Sequence, residues 1–157
     1  MRGGHRRRAL SCAAGAALIL ASCVSRVEGP ARVAPGASPT DPMVAGALVV
    51  EQFLRAANAN DIDTMSRLFG TKQGPVAKLW PKQQVEDQLF LLANVLKHDN
   101  YGILRTEVVP GRRDEATNLI VQMSVRGRQV DVPYTLVWSD DRTWLIENID
   151  LTKVTGR

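Results

Sequence analysis

The hydrophobic pattern of this chain changes its period near residue 100, and that change constrains the fold more than any other feature. Before it, apolar residues recur every three or four positions, which is the spacing of one helical face. After it, apolar and polar residues alternate, which is typical of strands with one buried face. Helices that precede a run of antiparallel strands define an α+β fold. The sequence therefore predicts one α+β domain, residues 43–157, with N-terminal helices packed on a curved antiparallel sheet of about four strands.

Three helices are predicted before the change of period. The first begins at Asp41-Pro42, because an acidic cap followed by proline favours a helix start. Asp61 is placed to cap a second, shorter helix, which Gly70 is expected to end as a left-handed residue. The loop predicted next spans residues 71–81.

The third predicted helix runs from about 82 to 97 and is closed by Asn100 and Gly102. Its buried face is predicted from four apolar residues at helical spacing. These residues are Val85, Leu89, Leu92 and Leu96.

Four strands are predicted after the helices. The first covers residues 101–109, and two alternating segments follow it with a turn at residues 126–128 between them. A second turn, at residues 139–142, leads into the last strand at residues 143–151. Short connections of this kind indicate an antiparallel meander.

The last strand contains a break in its alternation. Trp144 and Ile146 share one parity, whereas Ile149 and Leu151 share the other. A β-bulge near residues 147–148 reconciles the two halves, and bulges curl a sheet.

The first 22 residues have the features of a secretory signal peptide. A basic segment at residues 1–8 precedes an apolar run at residues 9–21, which is about 20 Å long as a helix and shorter than the roughly 30 Å core of a bilayer. The chain has 20 basic and 16 acidic residues, and four of its arginines lie in this leader. The remainder is electrically balanced, so the composition excludes nucleic acid as a partner.

The leader ends in Leu20-Ala21-Ser22-Cys23, which resembles the lipobox of bacterial lipoproteins. In that family the cysteine receives a diacylglyceryl thioether, cleavage occurs just before it, and its new amine is acylated. The resemblance implies that Cys23 anchors the chain to a membrane of the bacterial cell envelope, facing the periplasm. Two or three acyl chains give stable anchoring, whereas one chain is marginal. Val24, in place of an aspartate, favours the outer membrane over the inner one.

A tether follows the predicted lipid attachment, so that residues 23–42 form one unit. Four of the eight prolines lie in residues 24–42, together with few large apolar side chains. Such a composition cannot bury a core, and about 18 extended residues reach at most roughly 60 Å. The alternative is an arm that packs along the domain.

Three segments of the folded part carry a second resemblance: residues 53–61 (FLRAANAND), residues 68–69 (LF) and residues 144–149 (WLIENI). They resemble the nuclear transport factor 2-like (cystatin-like, SnoaL-like) superfamily, in which the first helix ends in a small-residue and Asp step and the last strand opens with Trp. The resemblance implies a cone-shaped fold with a pocket. The superfamily includes isomerases, dehydratases and cyclases that place Asp, His or Tyr inside the cone.

Most site chemistries are excluded by what the mature chain would contain. It would keep one histidine and no free thiol, which excludes cysteine catalysis and Cys/His zinc sites. It has no Gly-x-Ser-x-Gly elbow, no phosphate-binding glycine loop and no calcium loop. No metal and no cofactor are therefore predicted.

Acid–base chemistry in a pocket remains open, and it requires a titratable group in the cone. The pocket candidates are His98, Asp99, Tyr101, Tyr134 and Glu147. Each also has a structural alternative, such as a histidine at a helix C-terminus, a core tyrosine or a glutamate at a bulge. None of them matches a catalytic motif of the superfamily residue by residue.

Three tryptophans and the turn arginines complete the set of candidates. Trp138 and Trp144 flank one hairpin and are expected to pack across it, whereas Trp80 is a candidate for the rim of a pocket. Arginines in the turns, including Arg112 and Arg113, are expected to be solvated or to contact anionic lipid headgroups.

A pocket-forming fold without a complete catalytic set favours a non-catalytic role. The prediction is a membrane-anchored lipoprotein whose domain binds a small apolar ligand in its cone, or a protein of the envelope, or a second copy of itself. The first alternative is a small acid–base enzyme of the isomerase or dehydratase kind that uses His98 or Glu147 as its base. The second alternative is a structural component of an envelope assembly.

Overall fold

The computed structural model describes residues 42–112 and 115–156. The predicted signal peptide, Cys23, the tether up to Asp41 and the turn residue Arg113 lie outside the described residues. The helices are α1 (Pro42–Ala59), α2 (Ile62–Leu68), α3 (Val76–Leu79), α4 (Lys82–Val95) and α5 (Thr152–Thr155). The strands are β1 (Gly70–Thr71), β2 (Gly74–Pro75), β3 (Asn100–Val108), β4 (Ala116–Val125), β5 (Arg128–Trp138) and β6 (Trp144–Ile149).

The α+β architecture with a four-stranded antiparallel sheet is confirmed. The sheet is an open meander in the order β3-β4-β5-β6, so its outer strands do not pair with each other. Helix α1 packs on β4 and β6, and α2 and α4 pack against α1. Among the described helices, none has the length and apolar character needed to cross a membrane.

The core lies between the helices and one face of the sheet. The alternation predicted for β4 and β5 is confirmed in the middle of each strand, where one parity is buried, but at the two ends of β5 Val130 is half-buried and Trp138 is 42% exposed. The buried sheet residues are Leu119, Val121, Met123, Val132, Tyr134, Leu136 and Ile146, and the helices contribute Val50, Phe53, Leu54, Leu89 and Ala93. Within the described part of the chain, every buried side-chain nitrogen or oxygen has a hydrogen-bond partner.

The junction between α1 and α2 is set by two adjacent polar residues. Asn60 is left-handed, with a φ of 54°, and the Asp61 N–H donates to Ala56 O at 2.9 Å, which ends α1 in a Schellman-type turn. The Asp61 carboxylate then accepts a hydrogen bond from the Thr64 N–H at 3.0 Å and caps α2. The predicted cap at Asp61 is therefore confirmed.

The Asp61 cap should make the stability of the domain depend on pH. Hydrogen bonds from Thr64, first its side chain and then its backbone N–H, hold the pKa of the Asp61 carboxyl below 3.8. The pKa of the Asp61 carboxyl is therefore lower in the folded state than in the unfolded state. The resulting stabilisation is fully present above the pKa of the unfolded state, and it is lost as the pH falls through the pKa of the folded state. Asparagine also caps helices but does not titrate. We therefore expect the stability advantage of the wild type over Asp61→Asn, measured as urea midpoints, to shrink below about pH 4. An advantage that stays constant down to pH 3 contradicts this assignment.

Gly70 does not end α2, and this prediction was wrong. Helix α2 ends at Leu68, its C-cap Phe69 is extended with φ −101° and ψ 134°, and Gly70 belongs to strand β1. Glycine is required there by space, because a Cβ on Gly70 would lie 2.3 Å from the backbone oxygen of Gly74. The left-handed residue in this region is instead Asn60, at the end of α1.

The segment predicted as a loop at residues 71–81 contains regular structure. It completes the two-stranded hairpin β1–β2 and then forms the short helix α3. A parallel bridge between Phe69 and Ile146 attaches the start of this hairpin to the edge of the sheet at β6. Pairing with a strand about 75 residues further along the chain is not visible in a local pattern.

The predicted third helix corresponds to α4, but its end differs from the prediction. Three of the four predicted buried residues are buried and Leu92 is half-buried. The helix ends at Val95, and the N–H of its C-cap Leu96 donates to Leu92 O. Asn100 and Gly102 do not close it, since both pair with β4 as part of β3.

The turns and one bulge of the sheet follow the prediction. Arg126 and Gly127 form a two-residue turn with φ of 52° and 74°, the conformation that matches the twist of a hairpin. Thr135 pairs with Asn148 and Leu136 with Ile146, so Glu147 is the extra residue of the predicted bulge. A second, unpredicted bulge at residue 104 bends β3. The two bulges curve the sheet around the helices.

Candidate functional site

His98 lies in the connection between α4 and β3, where both of its ring nitrogens are engaged. Nδ1 is 2.8 Å from Leu96 O, and Nε2 is 3.3 Å from Nδ2 of Asn58. These contacts fit a neutral ring that donates from Nδ1 and accepts at Nε2. Asn58 also accepts from the His98 N–H at 3.1 Å and donates to His98 O at 2.9 Å. His98 therefore ties the end of α4 to the end of α1, and each of its ring nitrogens lies within hydrogen-bond distance of a partner.

Tyr101 is the only other pocket candidate that contacts His98 among the described residues, and the two rings meet edge to face at 5.4 Å. Tyr101 is half-buried on β3. Burial, followed by the carboxylate of Glu51, raises the pKa of the Tyr101 hydroxyl, and Arg55 opposes this effect. Asp99 stands between them in sequence but is exposed, and its N–H donates to Ser124 O.

Tyr134 lies in the core on β5. It has no exposed surface, and its hydroxyl donates to the sulfur of Met123 at 3.4 Å. Burial raises the pKa of this hydroxyl far above its usual range, so Tyr134 stays protonated at any physiological pH. Its ring fills part of the space between the sheet and the helices that the cone resemblance would assign to a pocket.

Glu147 is paired with Arg112. Arg112 donates from Nη1 to Oε2 at 2.5 Å and from Nη2 to Oε1 at 3.2 Å. The two side chains are 36% and 24% exposed, and this bidentate geometry is the strong form of the interaction. The hydrogen bond to Glu147 raises the pKa of Arg112. Arg112 is thus not a solvated turn residue as predicted, because it links the β3–β4 connection to the bulge of β6.

The four principal pocket candidates occupy three separate environments. His98 and Tyr101 lie together near the end of α1, Tyr134 lies in the core, and Glu147 pairs with Arg112. Across residues 42–112 and 115–156, no three His, Cys, Asp or Glu side chains are close enough to hold a metal ion. The candidates therefore do not form one acid–base constellation.

Two of the three tryptophans pack against each other across neighbouring strands, as predicted. Trp138 and Trp144 face each other in the β5–β6 register, with ring centroids 5.4 Å apart and planes at 60°. Trp80 caps the C-terminus of α3 and is 42% exposed.

The most unusual surface of the described domain lies on α4. Phe90 and Leu91 are adjacent there and are 53% and 66% exposed. They border a shallow, open depression of about 500 Å³ whose lining is Ile62, Gln83, Glu86, Asp87, Phe90 and Leu91. A second cavity of about 300 Å³ is lined by Ile62, Asp63, Ser66, Ala77, Lys82, Val85 and Glu86. The two share Ile62 and Glu86, and together we name them the α2–α4 groove.

The rim of the α2–α4 groove is acidic. Three carboxylates line it, Asp63, Glu86 and Asp87, and they face two cations, Lys82 in the lining and Arg67, which pairs with Asp63. Lys82 lies 3.6 Å from Glu86, and both side chains face water. Among the described residues, the only side chain that donates a hydrogen bond to the Asp87 carboxylate is Gln83, whose Nε2 lies 3.1 Å from Oδ1. The groove therefore combines an apolar floor with an excess of negative charge.

Sequence reasoning missed this groove, although the sequence contains a signal for it. Residues 89–92 are four consecutive apolar residues. Successive residues of a helix point about 100° apart, so one buried face cannot take all four. Leu89 is buried, and Phe90 and Leu91 are the excess that faces solvent.

A smaller, polar cavity of about 140 Å³ lies on the sheet at the ends of β3 and β4. It is lined by Asn100, Tyr101, Gly102, Gln122, Ser124 and Gln129. Its size and its lack of an apolar floor make it a weaker candidate than the α2–α4 groove.

The fold and its surface define an α+β domain with an apolar, acid-rimmed groove and with its acid–base candidates dispersed. No family model matches the chain, and no curated protein matches it. Several solved structures are similar to it in fold. One is an NTF-2 like protein of unknown function from Silicibacter pomeroyi, at 16% identity and a TM-score of 0.48, covering 72% of this chain and 96% of that one. Another, from Xanthomonas campestris, is assigned as a calcium/calmodulin dependent protein kinase II association domain, at 10% identity and a TM-score of 0.42, covering 77% of this chain and 91% of that one.

Proposed function

We propose that this protein is a lipid-anchored component of the bacterial cell envelope whose domain binds another protein through the α2–α4 groove, without catalysis. The observation that carries the proposal is the exposure of Phe90 and Leu91 beside one another at a concave surface. Covering a large apolar side chain stabilises a complex by about 1.5 to 3 kcal/mol when it becomes fully buried. A contiguous exposed apolar patch with a polar rim marks a site of interaction on a protein surface.

The packing of the core favours a protein partner over a small apolar ligand in the cone. Tyr134, Met123 and Phe53 are fully buried between the sheet and the helices, where such a ligand would have to lie. A ligand there would have to displace well-packed side chains, whereas a partner at the groove covers surface that is already exposed.

The acid–base alternative has weaker support from the geometry. His98 uses both ring nitrogens in holding α4 to α1, and Glu147 is occupied by Arg112. A general base needs a free lone pair within reach of its substrate. To act as a base, each of these residues would have to share its acceptor atoms with the partners that it already has.

The anchoring part of the proposal rests on Leu20-Ala21-Ser22-Cys23. We expect the chain to incorporate radiolabelled palmitate in its native bacterium and to fractionate with membranes. Cys23→Ser should abolish both, because no other site on the mature chain would offer a thiol for the thioether. Incorporation that survives Cys23→Ser would overturn the anchoring.

Protein binding at the groove is tested by site-specific photo-crosslinking in living cells. A photoreactive residue at Leu91 is expected to form one discrete adduct with another protein, and Phe90→Ser in the same chain is expected to remove it. The matched control is Gln88, which is exposed on α4 but does not line the groove. No adduct at Leu91, or an equal pattern at Leu91 and Gln88, contradicts the proposed function.

A further inference from the structure

We propose that the occupant of the α2–α4 groove is an amphipathic helix of a partner protein, with apolar anchors one turn apart and lysine or arginine residues one turn away from them. The inference rests on the proposed function, because it names the chemistry of the partner at that site. It follows from the shape of the groove, from its charge, and from the spacing of its apolar and acidic side chains along α4.

The shape of the groove favours a helix over an extended segment. Its walls are helical, formed mainly by α2 and α4 with Ala77 of α3, and α4 is 14 residues long, which is about 21 Å. The lining offers side chains and no free strand edge. An extended segment on the apolar floor would leave its backbone N–H and C=O groups without partners, whereas a helix satisfies its own. Helix-in-groove binding is therefore the mode that this surface supports.

The charge of the groove selects a basic partner. Glu86 and Asp87 stand in the second turn of α4, beyond the first turn where the helix dipole favours acids. The dipole of α4 therefore does not account for them. Carboxylates beside an uncovered apolar floor repel acidic partners and attract lysine or arginine.

Existing ion pairs at the rim do not block such a partner. Lys82–Glu86 is 3.6 Å long, and Arg67–Asp63 is also exposed. Exposed pairs of this kind contribute little to stability, so a partner's lysine or arginine can replace them at small cost. A docked helix would also exclude water from the rim, which strengthens the new pairs.

The spacing on α4 translates into a sequence pattern for the partner. Glu86 and Phe90 are four residues apart, as are Asp87 and Leu91, so each acid lies one turn from an apolar side chain. A helix lying along α4 meets the apolar and acidic parts of the groove at that same interval. Its own apolar anchors and basic residues must therefore also be one turn apart.

The probe for this inference is a synthetic, alanine-based helical peptide of about 18 residues with two leucines one turn apart and lysines one turn to either side. Binding to the purified full-length mature protein in phosphatidylcholine nanodiscs is followed by fluorescence anisotropy, with empty discs subtracted. We expect Leu91→Ser to weaken binding at least about tenfold, as is typical when an anchor residue is lost. Gln88→Ser is expected to change it less than about twofold, since Gln88 lies outside the lining of the groove.

Charge reversal tests the basic half of the pattern. Asp87→Lys is expected to weaken the lysine peptide at least about tenfold and to favour the same peptide with glutamate in place of lysine. Asp99→Lys is the matched control, because it makes the same change of net charge at an exposed position away from the groove. Equal effects of the two variants would show a non-specific attraction and would overturn the inference.

The remaining outcomes separate this inference from the proposed function. If no peptide binds but Leu91 crosslinks to another protein in cells, the inference of a helical occupant is wrong and the proposed function stands. If a peptide with leucines and no lysines binds equally well, the inference that the partner is basic is wrong. An adduct with the mass of two copies of this chain would identify a second copy as the occupant and would overturn the inference. If neither peptide nor crosslink appears, both proposals fail.

Discussion

Gly70→Ala is expected to destabilise the domain by about 3 kcal/mol, at the upper end of the cost of overpacking. The new Cβ would lie 2.3 Å from Gly74 O, 2.8 Å from Pro75 Cα and 2.9 Å from Leu145 Cδ1. Two of these atoms belong to the facing strand of the β1–β2 hairpin, so relief requires a backbone shift and not a side-chain rotation. Because the same hairpin is bridged to β6 through Phe69, the shift also disturbs the edge of the main sheet.

Urea unfolding followed by tryptophan fluorescence measures this loss, and Gly102→Ala is its matched control. Gly102 also lies in a strand, but a Cβ there meets nothing within 4 Å. Alanine at that position is expected to leave stability unchanged or to raise it by up to about 1 kcal/mol, since it lowers the entropy of the unfolded chain. A cost below about 1 kcal/mol for Gly70→Ala would show that the hairpin can yield, and would refute this account of the glycine.

Tyr134→Ala is expected to cost about 3 to 5 kcal/mol, the range for removing a large ring from a core. Tyr134 is fully buried and contacts elements of both layers, so little of the resulting space can collapse. The measurement is again the free energy of unfolding in urea.

Tyr134→Phe separates packing from the chemistry of the hydroxyl. The hydroxyl donates only to the thioether of Met123, a weak acceptor, at 3.4 Å. Phenylalanine keeps the ring and is expected to change stability by less than about 1 kcal/mol. If Tyr134→Phe were as costly as Tyr134→Ala, the hydroxyl and not the ring would be holding the core, and the packing account of Tyr134 would fail.

Much of the fold could be predicted because its signals are local. Helix α4, the cap at Asp61 and the turn at Arg126-Gly127 each depend on residues within about four positions of one another. The bulge at Glu147 was also accessible, because a strand whose parity changes needs an extra residue if both of its halves are to face the core. The error at Gly70 arose because two roles of glycine, left-handed conformation and close approach, look the same in a sequence.

The candidate site was harder to predict because its determinants are distant in sequence. His98 is held by Asn58, 40 positions earlier, and Glu147 by Arg112, 35 positions earlier. A candidate base is recognised by residue type, but whether its lone pairs are free depends on such partners. The α2–α4 groove likewise needs Ile62 from one helix and Phe90 from another, and only their packing makes the surface concave.

By itself, the sequence determined the order of the three longer helices and the four strands of the main sheet, most of the residues that these elements bury, and the curvature from one bulge, because periodicity and capping act over a few residues. It also predicts the lipid anchor at Cys23, through four adjacent residues. Only the tertiary structure decided that Tyr134 fills the core, that His98 and Glu147 are engaged, and that Phe90 and Leu91 remain uncovered. The physical reason is that burial and pairing belong to contacts between distant segments, which form only when helices and sheet pack together.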